Sequence, residues 1–220
     1  MIAQELISAL IPPLNAYDAL ATAVEWMREF HCPELPVVNG PVYKGLLYEE
    51  DLLDIEDLYQ KVGNIKINLK RPFVSENDHL FKIAHAFSLH QTHVLPVLYA
   101  DETYAGVITL QNVVQQLANL DSVENTGGLI TLEMPYNNYS LVELAKIVEQ
   151  NNANILSSFT QTINETGLIE VTIKVNIADL TSIIETFERF GYIIKRSYQE
   201  VKGNEILKER YDALMNYLNI

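Results

Sequence analysis

Apolar positions in the first half of the chain follow two rhythms, and both rhythms occur twice. Leu20, Ala23, Val24 and Met27 have the spacing of one helical face, and Leu80, Ile83, Ala84 and Phe87 repeat it 60 positions later. Helices are predicted over 17–30 and 77–90. Each leads into a short apolar run, Leu35-Pro36-Val37-Val38 and Leu95-Pro96-Val97-Leu98, which reads as a buried strand. A proline at the start of such a strand is tolerated, because the first strand residue need not donate to the ladder. Turns at Asn39-Gly40-Pro41 and Ala100-Asp101-Glu102 give way to second strands over 43–48 and 103–109, which carry Gly45-Leu46-Leu47 and Gly106-Val107-Ile108. The second turn is one residue longer, so the offset grows to 61. Helices over 49–60 and 110–119 close the two copies. An internal duplication of this kind fixes the architecture of half the chain and directs the search for function to the clefts between the copies.

Beyond a polar linker over 121–128, which ends in Gly127-Gly128, the periodicity changes. Ile130, Leu132 and Met134 alternate as a strand over 129–134. Ser140 followed by Glu143 is a capping-box start, and Leu141, Leu144, Ala145 and Val148 make a helical face. Strands follow over 155–161 and 169–175, joined by the turn Asn164-Glu165-Thr166-Gly167. A helix over 177–190 turns Leu180, Ile183, Ile184, Phe187 and Phe190 inward, Gly191 stops it, and 192–198 form the last strand. The order βαββαβ over 129–200 predicts a ferredoxin-like sheet backed by two helices. Leu207, Tyr211, Leu214 and Leu218 place an apolar stripe on a C-terminal helix over 203–219.

The duplicated half resembles the CBS (cystathionine β-synthase) domain, two copies of which form a Bateman module. The resemblance rests on hydrophobic-Pro-Val-hydrophobic, then Gly-hydrophobic-hydrophobic, then a helix start, all in register twice. It implies two units, over 1–60 and 61–120, packed by their sheets about a pseudo-twofold axis. It also implies two symmetry-related clefts that often take adenosine-containing ligands. Members that bind such ligands end the second strand as Gly-h-h-Ser/Thr-x-x-Asp, where h is hydrophobic and the hydroxyl and carboxylate face a ribose. The first copy here reads Gly45-Leu46-Leu47-Tyr48-Glu49-Glu50-Asp51, keeping the aspartate. The second reads Gly106-Val107-Ile108-Thr109-Leu110-Gln111-Asn112, keeping the hydroxyl. Thr109 and Asn112 are therefore the leading ligand residues and Asp51 the next, with apolar walls from the neighbourhood of Pro36 and Pro96. Asp51 and Thr109 also stand where helix N-caps belong, so simple capping is open beside ligand contact. Lys44, Lys66, Lys70 and Arg71 are the few nearby cations, which favours a monophosphate or an uncharged adenosyl compound over a triphosphate.

The second half resembles the ACT domain, a regulatory module that often binds amino acids and pairs side by side. On that resemblance Asn137 and Asn138, in the loop before Ser140, are the ligand candidates, although serine replaces the glycine that usually lets backbone approach a ligand. Pure dimerisation is equally open. The whole is an α/β (α+β) fold: two CBS units, an ACT-like unit and a C-terminal helix.

Composition narrows the function. The net charge of −14 opposes binding to a nucleic-acid backbone, and the strands 129–134 and 168–175 carry no aromatic side chain for stacking on bases. No apolar run reaches the length of about 20 residues that a membrane helix needs, and no basic region precedes an apolar run at the N-terminus. The single cysteine, Cys32, cannot form an internal disulfide, which points to the cytoplasm. His79, His85, His90 and His93 lack the i, i+4 spacing of a helical zinc pair, so no metal and no cofactor are expected. Neither a nucleophile–base spacing nor a phosphate loop occurs, so no enzymatic role is expected. The expected protein is a cytoplasmic, homodimeric regulator or sensor whose CBS pair binds an adenosyl-type ligand and transmits to the ACT-like unit. A ligand-free homodimeric interaction scaffold is the alternative.

Overall fold

In the first repeat, Asp18 turns the chain by accepting the Asn15 N–H at 2.7 Å, and Asp78 does the same for Ser75 at 2.9 Å in the second. Each turn ends a two-residue strand and starts a helix with its apolar stripe inward. The structure, a computed structural model, describes residues 1–66, 68–163 and 167–199. The helix expected over 203–219 therefore lies outside the described residues, as do positions 164–166 of the expected turn.

The first repeat runs β1 (Leu14–Asn15), α1 (Leu20–Glu29), β2 (Glu34–Asn39) and β3 (Val42–Tyr48). The second runs β4 (Val74–Ser75), α2 (Leu80–His90), β5 (Val94–Leu98), β6 (Tyr104–Thr109) and α3 (Leu110–Ala118). Both sheets are three-stranded, with the Leu-Pro-Val strand central, its parallel neighbour on one side and its hairpin partner on the other. Leu20, Ala23 and Met27 are buried on α1, as are Leu80, Ile83 and Phe87 on α2. The helix expected over 49–60 shrinks to a 3-10 turn, Glu49–Leu52. Glu50, Asp51, Asp54 and Asp57 would meet at i+3 and i+4 spacing in a longer helix, where like charges repel. The extended chain serves α1 instead: Leu58 and Gln60 offer their carbonyls to the N–H groups of Ala21 at 2.8 Å and Leu20 at 3.0 Å. Those donors have no partner inside the helix itself.

Pro36 is the third residue of β2 rather than the first. It is tolerated there because its partner Leu46 turns its N–H away, to the Lys70 carbonyl at 2.9 Å. Facing residues of an antiparallel pair point their backbone groups the same way relative to each other, so Pro36 stands where β3 requires no donor. In the second repeat Val107, opposite Pro96, likewise turns outward and accepts from Ser8 N at 2.8 Å. Extended segments thus cover the outer edge of each hairpin: residues near 70 for β3, and residues near 8 for β6. Ala3 and Leu6 are buried in the second repeat's core with Val74, Leu80, Ile83, Leu95 and Ile108.

The two glycines of the repeat permit this covering. Gly45 has φ +146°, and a Cβ there would lie 2.6 Å from Leu69 Cβ and 2.8 Å from the Lys70 carbonyl oxygen. Gly106 has φ +152°, and a Cβ there would lie 2.4 Å from the side-chain Cγ2 of Ile7.

Residues Ala118–Ile220 form a second unit, separate from Met1–Leu117. After a single helical turn, α4 (Asp121–Glu124), come β7 (Gly128–Pro135), α5 (Leu141–Gln150), β8 (Ile155–Thr162), β9 (Leu168–Val175), α6 (Thr181–Arg189) and β10 (Ile193–Gln199). The strand order β10-β7-β9-β8, antiparallel throughout, is that of the ferredoxin-like fold. Ile130, Leu132 and Met134 of β7 and Ile169, Val171, Ile173 and Val175 of β9 form its core with Leu144, Ile147 and Val148 of α5 and Ile183 and Phe187 of α6. Two positions differ from the pattern. Leu141 and Phe190, expected inside, are exposed at the ends of their helices, where the apolar stripe has run past the sheet.

Replacing Gly45 by alanine is expected to cost about 3 kcal/mol in urea unfolding, from backbone strain and the clash with Leu69 and Lys70. Gly40, at φ +59° with open space around it, gives the contrast: alanine there costs about 1 kcal/mol.

Candidate functional site

At the β6–α3 junction Thr109 and Asn112 close upon each other. The Thr109 hydroxyl donates to Asn112 Oδ1 at 2.5 Å, Thr109 N–H reaches the same oxygen at 3.2 Å, and Asn112 N–H donates to Thr109 Oγ1 at 3.1 Å. Both side chains are half-buried. Their spacing of three residues across a helix start brings hydroxyl and amide together, and the two backbone bonds are the reciprocal pair of a capping box at the start of α3. The matching junction of the first repeat is thinner. Asp51 accepts the Tyr48 N–H at 3.0 Å, and the phenol stands where the second repeat has a hydroxyl. Pro36 and Pro96 lie buried in the middle strands.

Beside Tyr48 lies a groove of about 530 Å³ lined by Pro33, Glu34, Tyr48, Glu49, Glu50, Lys70 and His93 among others. Of the four cations singled out from the sequence, Lys70 alone borders it, with its ammonium 5.1 Å from the centre of the Tyr48 ring. Arg71 is committed elsewhere, donating to the Tyr43 carbonyl at 3.2 Å with its guanidinium over the Tyr43 ring. Burial pushes the Tyr48 phenol above its ordinary pKa, and the charges of Glu34, Asp51 and Glu50 push it further.

Glu34 is the residue that sequence reasoning passed over. It is 2% exposed, and its carboxylate reaches across to the other repeat. There it accepts from the backbone N–H groups of His93 and Val94, the latter at 3.2 Å, and lies 3.2 Å from His93 Nδ1. The repeat itself carries the missed signal. The position of Glu34 in the first copy is that of Val94 in the second, so one carboxylate stands in an otherwise apolar pattern. Just before it, Cys32 and Thr92 also correspond, each donating to a backbone carbonyl two residues on, that of Glu34 and that of Val94.

In the second unit, Asn137 and Asn138 are exposed on the wall of a separate groove of about 660 Å³. Its other walls include the end of β7 at Glu133-Met134-Pro135, the α5 residues Glu143 and Lys146, and the turn Phe190-Gly191-Tyr192. Tyr192 donates to Glu143 Oε2 at 3.2 Å; burial, then that carboxylate, raises the phenol's pKa.

Among the described residues no group of three or more His, Cys, Asp and Glu is placed to hold a metal ion. No helix among them is long and apolar enough to cross a membrane.

Two Leu-Pro-Val strands thus occupy equivalent central places, each hairpin glycine lies against an extended segment, and Glu34 joins one repeat to the other. Residues 1–117 hold, twice over, the strand and helix arrangement that the resemblance to a CBS pair implies. No family model matches the chain. Among solved structures it is similar to a CBS domain pair/ACT domain protein from Thermotoga maritima, with 26% identity and a TM-score of 0.49 over 53% of this chain and 96% of that one. It is also similar to the CBS domain of the bacterial CNNM/CorC family Mg2+ transporter in complex with ATP, at 23% identity and a TM-score of 0.44 over 54% of this chain and 87% of the other. A third similarity is to CBSX2 in complex with AMP, at 18% identity and a TM-score of 0.46 over 55% of this chain and 98% of that one.

Cys32 reports on the link between the repeats. Burial pushes its thiol up from 9.0 to about 11. At pH ~8 a disulfide reagent is expected to label the native chain about a hundredfold more slowly than the urea-unfolded chain, following the loss of thiolate. The protonated thiol's stabilising contribution is complete below about pH 9 and is lost as pH rises through about 11. Cys32→Ala should remove that part of the alkaline loss; an unchanged alkaline profile in this variant would contradict the assignment.

Proposed function

We propose that the chain is a regulatory, non-catalytic protein whose CBS pair binds an adenosine-containing ligand in the cleft at Thr109 and Asn112. The Thr109–Asn112 cluster carries this reading. It sets a hydroxyl and an amide side by side at a helix start, in the place where the repeat's motif meets a ribose. Asn112 is a neutral acceptor and binds more weakly there than a carboxylate would. Asp51 is the second candidate, with Tyr48 crowding its side.

The ligand state passes along the chain to the ACT-like unit, where Asn137 and Asn138 offer amides to a small polar molecule in the 660 Å³ groove. The response can be no larger than the ligand's differential affinity for the two arrangements of the protein. β8 and β10 are the sheet edges among the described residues, which supports pairing of that unit with a second copy. Light scattering is expected to give twice the chain mass of 25.0 kDa; a monomer at micromolar concentration would remove the dimer from this reading.

One observation favours the alternative, a ligand-free homodimeric scaffold: Thr109 and Asn112 already satisfy each other. A thermal-shift panel of AMP, ADP, ATP, S-adenosylmethionine, NADH and cyclic dinucleotides separates the two. Ligand at a hundred times its Kd adds about 2.7 kcal/mol, expected to raise Tm by roughly 5–10 °C. Asn112→Asp should strengthen the response, and unchanged or weaker binding in that variant removes the site from Asn112. A flat panel selects the scaffold.

A further inference from the structure

We propose that Glu34 bars phosphorylated ligands from the first cleft, so that the CBS pair takes one nucleotide per chain, in the second cleft. This rests on the adenosyl reading of Thr109 and Asn112 and assigns the two clefts different ligand charges.

The repeat makes the comparison direct. The first cleft presents Glu34, Tyr48, Glu49 and Glu50, and the equivalent positions of the second are Val94, Thr109, Leu110 and Gln111. Three carboxylates face none. Glu49 and Glu50 are exposed, and salt screens them. Glu34 is 2% exposed and is held in place by two N–H groups of the opposite repeat, so neither solvent nor rotation takes its charge away from the groove. Its one ion-pair partner among the described residues is His93, itself 61% exposed and charged only when protonated. The lysine on the groove, Lys70, has its ammonium over the Tyr48 ring. A phosphate entering beside Tyr48 would therefore lie against a carboxylate that bulk solvent does not reach, and like charges so placed are strongly disfavoured.

Glu34→Gln isolates the charge, because its amide oxygen still accepts from His93 and Val94. Calorimetric titration of the full chain with AMP at pH ~8 should give one site in the wild type and two in E34Q. In an Asn112→Ala background, which weakens the second cleft, E34Q should bind AMP at least about tenfold more tightly than its Glu34 parent, or about 1.4 kcal/mol. The Glu49→Gln/Glu50→Gln double variant should gain less than E34Q does. Thermal melts confirm that each variant is folded. Two sites in the wild type, or no gain in E34Q, overturns the role of Glu34. One site in E34Q with none in the wild type supports Glu34 and overturns the Thr109–Asn112 reading; no binding by either overturns both.

Discussion

The arrangement of the duplicated half depends on a close approach at its two hairpin glycines. At Gly45 and Gly106 an extended segment lies so close to the hairpin that a side chain would occupy the same space. Because the segment is there, Leu46 and Val107 spend their outward backbone groups on Lys70 and Ser8. Pro36 and Pro96 can then sit inside central strands without orphaning a partner. The same contact brings Lys70 to the rim of the groove beside Tyr48. Proline, glycine and the groove wall are one physical arrangement, seen at three positions of the repeat.

That coupling explains what was legible in the sequence. The periodic helices α1 and α2, the Leu-Pro-Val strands and the βαββαβ order follow from local spacing, and they stand as read. The first repeat's second helix did not, because the repulsion among Glu50, Asp51, Asp54 and Asp57 competes with an apolar pattern that looks helical. Phe190 and Leu141 were misplaced for a different reason, since a stripe does not say where its sheet ends. Long-range contacts were the least visible. Nothing local indicates that Leu69 meets Gly45, or that the carboxylate of Glu34 reaches Val94 in the other repeat. Thr109 and Asn112 were legible as a pair because their interaction is local; the groove beside Tyr48 was not, because it draws residues from four separate stretches.

Duplication supplies two equivalent frames, and substitution has made them different. In the second repeat the junction is neutral and hydrogen-bonded within itself, and in the first it is ringed by carboxylates. The scaffold tolerates this because the core residues that hold each frame, such as Leu35 and Leu95 or Leu47 and Ile108, stay apolar and buried in both. A two-frame protein can in this way keep its architecture while its two clefts diverge in chemistry.

The burial of Ala3 and Leu6 among residues drawn from 74 to 113 has a consequence for how the chain is assembled. These two side chains have their full set of neighbours only once Val113 has been made, whereas α1, β2 and β3 can meet within a few dozen residues of synthesis. The strands of the first repeat therefore meet locally, although its core also takes in Val94 and Val107, and the second repeat is completed by a strap from upstream. Such closure over a long loop is entropically slow. The second repeat's core is thus closed by residues that stand about seventy to a hundred positions upstream of their neighbours.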